Sequence, residues 1–223
     1  MISPDTLQFL YDLKENNNRE WFDANRDYYQ TARADFNGFV QVLLSGVEKI
    51  DPAVAAAQLA VKNCVFRINR DVRFSHDKSP YKTNFGAFFT PGGKNGGKAG
   101  YYLHLEADAC FLAGGMYMPD AATLKLVRQE IDYNLNDFRK ILSDKDFLKY
   151  FPNGMDKEAM LKKAPQAYAP DHPAIEYLKY KSFTVSHDMK SELLTTDKAQ
   201  AYILKGFAIM HSFNSFLNQA LVI

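Results

Sequence analysis

Gly100-Tyr101-Tyr102-Leu103-His104-Leu105-Glu106 alternates from Tyr102 onward, with Leu103 and Leu105 on one side and Tyr102, His104 and Glu106 on the other. A period of two is the side-chain repeat of an extended strand, so this stretch reads as β-structure with one apolar face. Similar β-rich runs, bounded by turn residues, lie near 63–69, 83–90, 110–117 and 181–187. No long helical stretch separates the middle three, which makes antiparallel pairing the economical connection.

Outside these runs the period becomes helical. Ser3-Pro4 is an N-cap and first-turn pair, and Leu7, Leu10 and Tyr11 continue a stripe as far as the Asn16-Asn17-Asn18 break. From Arg19 to Asp51-Pro52, apolar residues such as Trp21, Tyr29, Phe36, Val40 and Leu44 recur every three or four positions and predict one long helix, with Gly38 as its candidate break. Two further stripes, 121–142 and 197–217, should lie on the sheet. The expected architecture is α+β: a single domain over residues 1–223, with a mainly antiparallel sheet of about five strands packed with long amphipathic helices. A chain of 223 residues, 47% of them hydrophobic, suffices for one substantial core.

The strand beginning at Gly100 also decides how the glycine-rich loop reads. Gly92-Gly93-Lys94-Asn95-Gly96-Gly97-Lys98 satisfies G-x-x-x-x-G-K, but Ala99 stands where a phosphate-binding loop needs Ser or Thr. That loop must also run from a strand into a helix N-terminus, whereas here a strand follows. A mobile hairpin tip is the expectation.

Chemistry concentrates in Arg67-Ile68-Asn69-Arg70-Asp71-Val72-Arg73-Phe74-Ser75-His76-Asp77-Lys78-Ser79-Pro80-Tyr81-Lys82. Three Arg and two Lys against two Asp leave a local excess of +3, in a chain whose total is +1. Guanidinium forks, amines and hydroxyls gathered on a strand and turn suit a carboxylate or phosphate. The competing account is an ion-pair lattice in which Asp71 and Asp77 pair with the cations and only hold the segment in shape. The near-neutral total argues against a general polyanion binder.

Other constellations are thinner. His104 and Glu106 share a strand face and could aim at one ion, yet two ligands do not make a metal site, and the five histidines show no zinc spacing. Ser75, Ser79 and Ser182 have no recognisable base partner. Arg19, beside the Asn-rich break, is a marginal candidate. Cys64 and Cys110 sit in apolar runs and read as buried thiols of a reducing compartment. No basic region followed by an apolar run opens the chain, and no stretch approaches the roughly 18 apolar residues of a membrane span. The expectations are a cytoplasmic protein, no membrane partner, no cofactor and no metal.

The charged segment, with Arg67, Arg70-Asp71, Arg73-Phe74, Asp77-Lys78 and Tyr81 in that order, resembles a bacterial family of uncharacterised proteins, domain-of-unknown-function family 2461. The blocks Asn16–Phe22, Gly114–Pro119, His172-Pro173 and Lys181-Ser182-Phe183 extend the resemblance over most of the chain. An aromatic residue is usual in that family where Asn69 stands, and Gly where Ala167 stands; neither departure touches a charge. The resemblance implies an α+β domain and no particular activity.

The functional expectation is therefore an anion-accepting cleft in which Arg67, Arg70, Arg73, Lys78 and Lys82 supply charge. Asp71 orients an arginine, Asp77 belongs to the same site, and Tyr81 donates a hydrogen bond. Catalysis there would rest on electrostatic stabilisation, with an acid or base among Asp71, Asp77 and His104. An anionic small molecule is the expected partner; nucleic acid is the alternative, and a non-catalytic scaffold the third. The segment should line the main concavity.

Overall fold

The computed structural model describes residues 1–222. The chain opens with helices α1 (Pro4–Glu15), α2 (Arg19–Ala24), α3 (Arg26–Ile50), α4 (Pro52–Ala56) and α5 (Val61–Cys64). The strands β1 (Asn84–Phe89), β2 (Gly100–Glu106) and β3 (Cys110–Met116) follow, then helices α6 (Ala121–Tyr133), α7 (Leu135–Leu142), α8 (Lys145–Tyr150) and α9 (Ile175–Leu178). Strand β4 (Phe183–Met189), α10 (Ser191–Leu194) and α11 (Ala199–Gln219) complete the order.

The sheet is antiparallel throughout and runs in sequence order, β1-β2-β3-β4. It therefore has four strands, not five. The strand expected near 63–69 starts instead as the α5 turn and continues as extended chain along the free edge of β1. It touches 81–87 only through the isolated bridges Val65↔Ala87 and Asn69↔Tyr81. Three residues separate those bridges on one side and five on the other, so the ladder bulges between Lys82 and Gly86 and cannot close.

Alternation on the sheet separates two environments. Phe85, Ala87 and Phe89, Tyr101, Leu103 and Leu105, Leu112 and Met116, and Phe183 and Val185 are all buried beneath α1, α3 and α11. On the opposite face Phe88, Tyr102, His104, Glu106, Phe111 and Ser186 remain half-exposed. The buried apolar residues form one contiguous cluster. Within it Phe85 lies 5.2 Å from Phe36 and 6.1 Å from Phe9, ring centre to ring centre, which ties β1 to α3 and α1.

The long N-terminal helix breaks at Asn25 and not at Gly38. The Asn25 backbone leaves the helical angles at φ −110°, ψ 27°, while its N–H and its side-chain amide both donate to the Trp21 carbonyl, at 3.0 and 2.9 Å. Gly38 merely forgoes about 1 kcal/mol of helix propensity, which the surrounding buried stripe of α3 outweighs. The 121–142 stripe is likewise two helices, divided at Asn134.

Candidate functional site

The charged segment is fastened to the helical layer by Asn17, whose amide donates to the Tyr81 carbonyl at 3.0 Å while its oxygen accepts from the Tyr81 N–H at 3.1 Å. The flanking Asn residues terminate helices: Asn16 is the C-cap of α1, and Asn18 caps α2 by accepting from the Trp21 N–H. Tyr81 is buried with its ring stacked on Phe22 at 3.9 Å between centroids. Its ring thus serves packing.

Between these anchors the loop satisfies its own charges. Arg70 pairs with Asp77, which also accepts from the Ser79 N–H and hydroxyl at 2.9 and 2.6 Å. The Arg70 bond first, and the Ser79 bonds second, hold the Asp77 carboxyl well below the usual carboxylate range. Arg73 grips Asp71 bidentately, Nε to Oδ1 at 2.9 Å and Nη2 to Oδ2 at 2.7 Å, and that bond depresses the Asp71 carboxyl as well. Lys78 donates to the Val72 carbonyl at 3.0 Å. Carboxylates held in this way are poor proton acceptors. At the tip, Phe74 is 95% exposed.

Arg67 and Lys82 behave differently, and they have a third companion. The Lys82 amine is pushed below its ordinary pKa, first by burial and then by the positive charges of Arg67 and Arg33. Burial likewise lowers Arg33, whose Nη1 is buried and meets no hydrogen-bond acceptor. Among the described residues none of these three cations forms a salt bridge. Aromatic faces hold two of them: Arg33 Cζ lies 5.5 Å from the Phe85 ring centre, and Lys82 Nζ lies 5.3 Å from that of Phe66. The sequence reading missed Arg33. Its signal is a charge four residues after Tyr29 and three before Phe36, on the apolar stripe of α3.

Beside this cluster, on the half-exposed sheet face, runs a chain of hydrogen bonds. His104 Nε2 lies 3.2 Å from Glu106 Oε2, and the Tyr102 hydroxyl lies 3.0 Å from His104 Nδ1. The tautomer serving both carries its proton on Nε2. Glu106 Oε1 accepts from the Thr83 hydroxyl at 2.6 Å, linking the chain to the residue after Lys82. The imidazole stacks on Phe111 at 4.5 Å, and burial depresses its pKa against the opposing pull of Glu106. Burial and then Glu106 push the Tyr102 phenol up to about 12. Gly86, opposite His104 in the register, makes this possible: a Cβ there would stand 2.7 Å from the Tyr102 hydroxyl.

Arg19 is the exposed first residue of α2 and forms no ion pair among the described residues. Two open concavities, of about 570 and 540 Å³, lie near Tyr177 and between α3 and α11 respectively, and neither includes a residue of the 67–82 segment. The glycine-rich loop joins two strands of a hairpin, so it does not run into a helix N-terminus. It is also anchored: Lys94 N–H donates to the Asn63 carbonyl at 3.0 Å, and Asn218 grips Ala99 through 2.8 and 3.0 Å bonds. Among the described residues no helix is long and apolar enough to cross a membrane. No group of three or more His, Cys, Asp or Glu among them is placed to hold a metal ion.

Fold and site define an α+β protein that carries a self-paired ionic loop beside an unpaired cation cluster. The chain belongs to the family described as conserved hypothetical protein (DUF2461), whose sequence model matches residues 5–216. No curated protein and no solved structure matches the chain.

Proposed function

We propose that the chain is a single-domain protein that binds an anionic, phosphate- or carboxylate-bearing ligand at Arg67 and Lys82, joined by Arg33. The observation that carries this reading is the Lys82 amine, destabilised by burial and by two neighbouring cations with no carboxylate to offset them. Like charges gathered at a half-buried position cost stability, and an anion placed among them removes that cost. Arg33 adds a buried donor without an acceptor, which an oxyanion satisfies. In this reading Arg70, Asp71, Arg73, Asp77 and Lys78 are the frame and not the contact surface, and Tyr81 fixes the frame to α2. The unpaired, buried Cys64 and Cys110 support a reducing, cytoplasmic setting.

The test is thermal unfolding with and without inorganic phosphate. Phosphate should raise the melting temperature of the wild type and leave that of Lys82→Met unmoved. Equal gains in both would remove Lys82 from the site. A second reading, nucleic-acid binding, is favoured by Phe74, 95% exposed beside Arg73, because an exposed ring and a cation suit a base and its phosphate. Oligonucleotide affinity that falls steeply with salt supports it, and affinity without that slope excludes it.

A further inference from the structure

A second cluster lies away from the charged segment, at the junction of α3, β2 and α11. Asp51 ends α3 and is 5% exposed; its Oδ1 caps α4 by accepting from the Ala53 N–H at 2.9 Å. Its Oδ2 accepts from the Tyr101 hydroxyl at 3.0 Å. The same phenol oxygen lies 2.9 Å from His211 Nδ1, which stands 3.9 Å from Asp51 Oδ2. On the far side of the ring, His211 Nε2 is 3.4 Å from the hydroxyl of Ser215, one turn onward in α11 and exposed.

The directions of these bonds agree with one another. Tyr101 gives its proton to Asp51, so its oxygen accepts from His211 Nδ1–H. That tautomer leaves the Nε2 lone pair facing the Ser215 O–H. A hydroxyl, a base within reach of it, and a buried carboxylate orienting the base are the parts of an activated serine, here with a phenol inserted between base and acid. Catalytic hydrogen bonds of unliganded sites are often as long as 3.4 Å.

A concavity of about 540 Å³ lies between α3 and α11, and Asp51, Tyr101, His211 and Ser215 are not among its lining residues. Ile50, in its wall, precedes Asp51, and Ala208 lies three residues before His211; Val42 and Leu204 are apolar, while Gln41, Ser45, Lys49 and Gln200 give the wall polar groups. Gly46 brings the two helices close, since a Cβ there would come within 2.4 Å of Leu204.

We propose that Ser215 is a nucleophile activated by His211, and that it accepts the acyl group of a carboxylic ester. Ser215 Oγ bonds to the acyl carbon while its proton passes to His211 Nε2. The bond from that carbon to the alcohol oxygen breaks, and His211 returns the proton to the departing alkoxide, leaving acyl-Ser215 and the free alcohol. Tyr101 and Asp51 are positioning residues that hold the tautomer.

The probe is an alkyl fluorophosphonate, which reacts in the same sense: Oγ–P forms, P–F breaks, and fluoride departs. Peptide mass spectrometry of the folded, full-length chain should find Ser215 labelled at least tenfold more than exposed Ser212 on the same helix. His211→Gln should reduce Ser215 labelling at least tenfold, with the circular dichroism of the wild type retained. Should that variant not fold, the wild-type ratio decides alone. Ser215 and Ser212 labelled alike, no label on Ser215, or a folded His211→Gln labelled like the wild type would each overturn the assignment.

Discussion

Arg70 and Arg73 stand beside carboxylates of their own loop, whereas Arg33 and Lys82 stand beside other cations and aromatic faces. Lys82 joins the second neighbourhood to the motif that holds the first, and the two differ in what their charges do. Paired charges on an exposed loop fix its shape and contribute little to stability, because solvent already screens them. Unpaired, half-buried charges work against the fold, and a protein that retains them gains something other than stability.

The largest expected effect is at the joint between the two regions. Asn17→Ala removes both hydrogen bonds to the Tyr81 backbone and leaves a half-buried donor and acceptor unmet, at a cost of about 2 kcal/mol in urea unfolding. A loss below about 0.5 kcal/mol, the scatter of ordinary surface changes, would mean the motif is held elsewhere.

Opposite signs should separate the regions next. The Lys82 amine is depressed below its ordinary 10.5, so the stability gained from a neutral amine is present only at high pH and is lost as pH falls through 10.5 and then the folded value. At neutral pH the charged amine is therefore a cost. Lys82→Met should stabilise the protein by roughly 0.5–1 kcal/mol in the absence of anion. Destabilisation would place Lys82 with the frame.

His104 supplies a pH test on the adjoining face. Its folded pKa lies below the ordinary 6.5, so its contribution is complete above 6.5 and is lost as pH falls through the folded value. Unfolding followed from pH 7 to pH 5 should show a smaller loss of stability in His104→Gln than in the wild type. Parallel losses would mean that Glu106 and burial balance and the imidazole is not held neutral. The smallest effect belongs to Arg73→Gln: an unchanged melting temperature, with faster amide exchange confined to residues 71–79.

Much of the fold was legible because it rests on period. The alternation of 102–106 marks a strand with one buried face, and the stripe at 197–217 marks a helix that covers it; the helices of 121–142, expected on the sheet, pack mainly on that helix and on α9. The strand expected at 63–69 failed because β-rich composition does not register the bulge between Lys82 and Gly86. The break at Asn25 was hidden because one residue's departure from helical backbone angles leaves no trace in the apolar spacing. In the site, the motif was visible but its division was not. Arg70 meets Asp77 seven residues away and Arg73 meets Asp71 at two, through a loop geometry that spacing does not encode. Arg33 was concealed by the stripe it interrupts, and His211 and Ser215 by the ordinary look of a polar pair four residues apart on a helix.

The most direct measurement is a nitrogen-detected NMR titration of the arginine and lysine side chains with inorganic phosphate. The Arg33, Arg67 and Lys82 signals should move together and saturate with one dissociation constant, while Arg70 and Arg73 stay fixed on their carboxylates. Saturable movement of Arg70 and Arg73, with Arg33 and Lys82 unmoved, would contradict the account and return the site to the loop.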